Sequence, residues 1–249
     1  DDRLEAFARD GAGRAMILSA AGGQGKSRLL LDLAQRLELQ TGAPRVRFLN
    51  LSRRSLSEEH ADFLAREKDL LLIVDDAHRL DAANEDVARA TSNANTVRLL
   101  VSTRPQAIAA VENLLYRHGY AEKMEKTFCL PGWKPEEMLT LAEQVLGPSQ
   151  RQHAPRLAGL ADRCPLLVVL GGALIASGNW PEAMTGGEAF RERVFRSFKE
   201  DFLCRQPESR RERLGRLIGF LAFVSPAPKN ETLWKTAAKI INCSPMDVA

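Results

Sequence analysis

The stretch AAGGQGKSRLL at residues 20–30 constrains this chain more than any other. Gly22, Gly23 and Gly25 allow a sharp bend that turns backbone N–H groups inward, and Lys26 and Ser27 follow directly. Inward N–H groups form a nest for phosphate oxygens, and a following helix adds its positive N-terminal end. The usual spacing is Gly, four residues, then Gly-Lys-Ser or Gly-Lys-Thr. Here the opening position is Ala20, which such a cradle tolerates if that residue needs no positive φ. The flanks fit. Residues 14–19 (RAMILS) read as a short buried strand, and residues 28–39 read as a helix with Leu29, Leu30, Leu33, Ala34 and Leu37 on one face. A chance Gly-rich turn would supply neither this frame nor the Lys-Ser pair. Residues Ala21, Gly22, Gly23, Gln24, Gly25, Lys26, Ser27 and Arg28 are therefore the candidate phosphate-binding set. Lys26 would reach the β- and γ-phosphates, and the Ser27 hydroxyl would bind Mg²⁺.

A second motif tests the first. Residues 70–76 (LLLIVDD) form an apolar strand that ends in two acids. By itself a double Asp fits a turn equally well. With the loop upstream, Asp75 is placed on the metal and Asp76 becomes the candidate general base. Further strands are expected at residues 44–51, 96–102 and 126–130, with helices at 56–66, 85–94 and 107–116. Strands alternating with helices argue for a parallel sheet covered on both faces. The strand at 44–51 lies between the loop and the double acid, so the double-acid strand should not neighbour the loop strand. The strand at 96–102 fits between them, giving the order 5-1-4-3-2. Its end, Ser102-Thr103-Arg104-Pro105, then points toward the γ-phosphate, with Arg104 as a candidate sensor of that group. His78 reads as a hydrogen-bonded loop histidine, since no partner metal ligand stands near it in the sequence.

Strand signals fade after Pro135. Helices are expected at 136–146, 155–162, 165–177 and 188–203, the last with Phe190, Val194, Phe195, Phe198 and Phe202 read as core positions. Residues 206–216 are heavily charged, and residues 217–224 are apolar. The expected domains are a core at 1–133, a helical lid at 134–205 and the start of a further module at 206–249. The net charge of +3 is too small to argue for nucleic acid. The cysteines Cys129, Cys164, Cys204 and Cys243 are widely spaced, which fits neither a zinc site nor a disulfide framework and agrees with a reducing, cytoplasmic setting. No apolar run reaches membrane-spanning length, and no signal peptide is visible. The start at Asp1 and the abrupt end lead to the expectation of a piece of a longer protein.

With these residues together, the chain resembles the STAND class of signal-transduction ATPases, which includes the NACHT and NB-ARC groups. The matching stretches are residues 20–27, 70–76, 99–105 and 164–172, the last reading CPLLVVLGG. In that class a Pro in the helical domain packs against the nucleotide, which carries over to Pro165; the residue two before it is usually Gly and is Arg163 here. The run from Leu217 resembles the opening of a winged-helix module. The resemblance implies an α/β P-loop NTPase core, a small helical domain and a truncated winged-helix start. It also implies ATP and ADP with Mg²⁺ as cofactors, and slow, regulatory hydrolysis. The ADP form would be closed and the ATP form would assemble as a homo-oligomer. An N-terminal effector and C-terminal sensor domains would lie outside this chain, with a trigger ligand and a role in innate defence or signal-controlled transcription. The absence of a guanine-reading Asn-Lys-x-Asp motif supports ATP. A second class of function is an AAA+-like motor or loader acting on nucleic acid. It would need a second sensor Arg on the helical lid, for which Arg156 and Arg163 are the candidates. A third, a binding module without hydrolysis, is opposed by intact Lys26, Ser27, Asp75 and Asp76.

Overall fold

The structure, a computed structural model, describes residues 2–10, 13–49, 58–79, 81–92, 94, 96–178, 186–208, 210–212 and 214–215. The described chain forms two compact units, one of residues up to 134 together with 163–166, the other of residues 135–162 and those from 167 on. The expected winged-helix start from Leu217 lies outside the described residues, as do the last two residues of the strand expected at 44–51.

In the first unit, α1 (Asp2–Asp10), β1 (Ala15–Ser19), α2 (Lys26–Glu38), β2 (Arg45–Phe48), α3 (Glu58–Arg66), β3 (Leu70–Val74), α4 (Asp81–Ser92), β4 (Val97–Thr103), α5 (Ile108–Arg117) and β5 (Phe128–Cys129) follow in chain order. The strands are parallel and lie in the order β2-β3-β4-β1-β5, as the sequence predicts. Every residue of β1 and β3 is buried, which is why these strands read as unbroken apolar runs rather than alternating ones. Side-chain alternation still sorts the two faces. Met16, Leu18, Leu71, Ile73 and Leu100 pack with Leu30, Leu33 and Leu37 of α2. Ile17, Leu70, Leu72, Leu99 and Val101 pack with Leu64, Val87, Val111 and Leu115 on the opposite side.

Helix α1 was not expected. It buries Leu4, Phe7 and Ala8 in the same cluster as α2, and Gln40 joins it to the end of α2 by donating to Glu5 Oε1 at 2.6 Å and accepting from Arg9 at 3.1 Å. Helix α2 begins at Lys26, two residues earlier than predicted, because the loop's left-handed turn ends at Gly25, whose φ is 91°. Strand β5 is only two residues long, although Glu125 and Leu130 extend its bonding to Ala15 O and Ser19 O at 2.8 Å each.

Arg14, just before β1, closes the far edge of the sheet. Its guanidinium donates to the carbonyls of Ser92 at 3.0 Å, of Thr91 at 2.6 Å and of Ala94, and lies over the Tyr120 ring. The Tyr120 hydroxyl donates to Thr91 Oγ1 at 2.7 Å, and burial pushes its pKa above the ordinary value.

The second unit contains α6 (Pro135–Leu146), α7 (Ala154–Leu160), α8 (Pro165–Ala176, from Leu167 on) and α9 (Gly187–Cys204). Gly171 lets α8 pack closely: a Cβ there would sit 2.6 Å from the Phe190 ring and 2.7 Å from Leu157. Phe190 and Val194 are buried, but Phe195 and Phe198 are 52% and 53% exposed, which corrects the reading of both as core. Phe195 is turned away from the line of Phe190 and Val194, whereas Phe198, four residues beyond Val194, continues that line and is half exposed all the same. The side chain of Phe202 lies outside the described residues. Among the described residues no helix is long and apolar enough to cross a membrane.

Arg14→Ala should remove charge-assisted bonds to carbonyls at the end of α4, costing roughly 1.5–3 kcal/mol. Urea unfolding should register that loss as a lower midpoint, and an unchanged midpoint would show that water replaces the guanidinium without penalty.

Candidate functional site

The site is built at the carboxyl ends of β1, β4 and β3. Ala20 does not belong to the residues with positive φ, and its N–H donates to Thr103 O at 3.3 Å. The opening position of the loop thus adds one bond to the β1–β4 ladder, needs no positive φ and is buried, so an alanine serves there. The turn itself is made by Gly23 at φ 76° and Gly25 at φ 91°. Lys26 is 6% exposed and folds back over the loop, donating from Nζ to Ala20 O at 2.9 Å and Ala21 O at 3.2 Å. Helix α2 has no acidic residue in its first turn, so its positive N-terminal end is not neutralised by its own side chains. Ala21, Gly22 and Ser27 are exposed. Arg28 is exposed too, with its side chain turned along the helix to Asp32 at 3.1 Å.

Asp75 and Asp76 follow β3. By the two-residue alternation Asp75 stands on the face of Leu71 and Ile73, which is the face packed by α2, and Ser102 stands there with Leu100. The Ser102 hydroxyl donates to Asp75 Oδ1, and the Asp76 N–H reaches Ser102 Oγ at 2.9 Å and Asp75 Oδ1 at 3.1 Å. Asp76 adopts φ 52°, a left-handed conformation costing a non-glycine residue roughly 1–2 kcal/mol, though Asp bears it better than most. His78 Nδ1 lies 4.0 Å from Asp76 Oδ1, so the loop histidine is a neighbour of the candidate base.

Arg104 leaves β4 in extended conformation. Its Nη2 is 4.0 Å from where a Cβ on Gly22 would stand, which places the guanidinium beside the loop. Ser19 Oγ, Thr103 Oγ1, Gln24 Oε1 and Arg104 Nε are buried and have no hydrogen-bond partner. Ser19 and Thr103 face each other in register. Buried polar atoms lacking partners are uncommon; these four belong to the loop or to the ends of β1 and β4, while others, such as Arg14 Nε, Asn84 Oδ1 and His118 Nε2, lie elsewhere.

Residues 163–166 lie in the same unit and grip the loop. Gln24 Nε2 donates to Arg163 O at 3.0 Å, and the Leu166 N–H donates to Gly23 O at 3.2 Å. The Trp133 indole donates to Gln24 O at 3.3 Å. Pro165 is buried within this segment. Arg163 has φ 60° and Asp162 φ 44°. The position where a glycine is usual thus takes the left-handed backbone that glycine favours, held by an arginine. Arg163 presents its carbonyl to the loop while its side chain is exposed; Arg156, on α7 in the other unit, is exposed.

The residues brought together are Ala21 to Gly25 individually, Lys26, Ser27, Asp75, Asp76, Arg104 and the segment holding Pro165. Sequence reasoning missed Ser102, Gln24 as a link to Arg163, and Trp133. Among the described residues no group of three or more His, Cys, Asp or Glu forms a metal cage. A Mg²⁺ ion held beside phosphates needs only one or two protein ligands, and Ser27 with Asp75 fits that requirement.

No family model matches the chain, and no curated protein matches it in sequence. The fold is similar to that of several solved structures. The Aeropyrum pernix Orc1 protein in complex with DNA aligns at 16% identity and TM-score 0.57, over 96% of this chain and 75% of that one. Domain III of the Thermotoga maritima replication initiation protein DnaA aligns at 14% identity and TM-score 0.55, over 78% of this chain and 89% of that one. The Aeropyrum pernix ORC2 protein in ADPNP–ADP complexes aligns at 15% identity and TM-score 0.50, over 96% and 78%. The five-stranded parallel core has the P-loop NTPase fold.

Three loop substitutions separate backbone need from space. Gly23→Ala puts a methyl 2.9 Å from Cys164 Sγ on a backbone of φ 76°, and should destabilise by about 1–3 kcal/mol. Gly22→Ala meets only Arg104 Nη2 at 4.0 Å without positive φ and should stay within about 0.5 kcal/mol. Ala20→Gly should cost at most about 1 kcal/mol of backbone entropy. Thermal unfolding of the three variants checks the ranking; equal stability of Gly23→Ala and Gly22→Ala would contradict the packing of residues 163–166 on the loop.

Proposed function

We propose that this chain binds ATP with Mg²⁺ and hydrolyses it to ADP and phosphate. One observation carries the reading. A single sheet edge joins a loop closed by Lys26 at the start of α2, a double acid after β3, and Arg104 beside Gly22. Loop N–H groups and Lys26 bind the phosphates, exchanging the Ala20 and Ala21 carbonyls for phosphate oxygens. Ser27 and Asp75 hold Mg²⁺, which supplies charge neutralisation when bound. Asp76 orients the attacking water and takes its proton, and Arg104 stabilises charge on the transferred group.

Two uses of such a cycle are supported by different observations. The fold similarity leans toward an AAA+-like ATPase acting on nucleic acid, since the neighbours include Orc1 bound to DNA and the replication initiation protein DnaA. In that reading Arg163, in the loop-bearing unit, is the candidate second sensor. The grip of residues 163–166 on Gly23 and Gln24 favours the other reading, a STAND-type switch that assembles with ATP and closes with ADP. There Pro165 contacts the nucleotide, the chain is its own partner, and effector and sensor domains belong to a longer protein.

Calorimetry should find ATP binding in the wild type and its loss in Lys26→Ala. Asp76→Asn should retain ATP while turnover falls about 10²–10⁴-fold, as for a lost general base. Asp75→Asn should also shift the Mg²⁺ dependence. Wild-type nucleotide affinity in Lys26→Ala, or unchanged turnover in Asp76→Asn, would refute the corresponding role. Turnover stimulated by DNA supports the nucleic-acid reading; a particle mass that rises with ATP, with turnover slow and indifferent to DNA, supports the switch.

A further inference from the structure

We infer that Ser102 is a positioning residue that sets both acids of the proposed ATPase site, an inference that rests on the reading of that site as an ATPase. Ser102 is fully buried at the end of β4, where an apolar residue would pack as well as its neighbours Leu100 and Val101 do. A hydroxyl there is costly unless both its donor and acceptor capacities are used. Both are. Its proton goes to Asp75 Oδ1, and its oxygen accepts the Asp76 N–H at 2.9 Å. The same N–H reaches Asp75 Oδ1 at 3.1 Å, so three groups close a small ring.

The ring does two things. First, it engages one oxygen of Asp75 twice, which fixes the carboxylate's rotation and turns its Oδ2 to a separate task. Second, it captures the Asp76 N–H in the geometry that φ 52° presents, and so holds the left-handed turn that sets the direction of the Asp76 side chain. Ser102 is also two residues before Arg104, which directly follows β4. One buried hydroxyl therefore ties the strand that carries the candidate sensor to the strand that carries both acids. Thr103, the next hydroxyl on β4, faces the opposite side of the sheet with Leu99 and Val101.

The test uses the full chain with Ser102→Ala and Ser102→Thr. Turnover is titrated with Mg²⁺, ATP affinity is measured by calorimetry, and Asp76 amide exchange is followed by NMR in the nucleotide-free protein. Ser102→Ala should lower kcat about 10-fold and raise the half-saturating Mg²⁺ several-fold, with ATP affinity nearly unchanged, as is usual when a residue that orients a metal ligand is lost. The Asp76 amide should lose its protection. Ser102→Thr keeps the hydroxyl and should restore protection and kcat to within about 3-fold of wild type. Thermal unfolding of both variants accounts for any general loss of fold. Ser102→Ala with wild-type kcat, Mg²⁺ dependence and amide protection overturns the proposal while leaving the ATPase intact. A wild-type chain that neither binds nor hydrolyses ATP overturns the functional reading, and this proposal with it.

Discussion

The pairing of β4 with β1 on one side and β3 on the other is the constraint on which the site depends. Ser19 stands opposite Thr103, and Val74 opposite Val101, so three strands end almost level. Because all run parallel, each delivers its following loop to the same edge, where ligands of open α/β sheets bind. The Ala20 N–H extends the ladder by one more bond to Thr103 O before the glycines turn the chain away. With β3 directly beside β1, Arg104 would be carried off by a strand farther out, and the loop and the double acid would lose the Ser102 bridge between them.

The cost of this edge is concentrated in buried polar atoms. Lys26 answers part of it by donating to two carbonyls of the loop, and Ser102 answers another part through Asp75 and Asp76. Ser19 Oγ, Thr103 Oγ1, Gln24 Oε1 and Arg104 Nε are left unanswered. Each unmade bond of this kind costs roughly 1–3 kcal/mol, so a fold selected for stability alone would place apolar groups there. Gln24 and Arg104 stand with the loop, whereas Ser19 and Thr103 face the side of the sheet away from α2.

Much of this was legible from residue pattern. Leu70 to Val74 and the run before Ala20 read as strands because burial on both faces forces unbroken apolar stretches, and the strand containing Val46 fixed the order of the sheet by lying between the two motifs. What escaped was set by tertiary contact. Helix α1 has its apolar residues Leu4, Phe7 and Ala8 at helical spacing, but nine residues carry too little periodicity to stand out. The α9 phenylalanines failed for the opposite reason: a strong apolar pattern overstated burial, since Phe195 lies off the line of Phe190 and Val194 and Phe198, although it continues that line, is half exposed. Ser102 and Trp133 could not be assigned partners from sequence, since Asp75 is 27 positions from Ser102 and Gln24 is 109 positions from Trp133.

The grip on the loop by residues 163–166 bears on any nucleotide cycle the site performs. Gly23 O and the Gln24 side chain hold this segment from one side, and close packing of Cys164 and Leu166 against Gly23 leaves no space for a Cβ. Those atoms belong to the turn proposed to cradle the phosphates, so any rearrangement of that turn must strain or break the bonds to Arg163 and Leu166. Asp162 and Arg163 are already in left-handed backbone, a conformation that persists only while neighbouring contacts hold it. Release of those contacts would let the two residues relax, and they stand three and two residues before Pro165, where α8 begins. The segment is thus bonded directly to the glycine turn, and its left-handed backbone is one that such neighbouring contacts must hold.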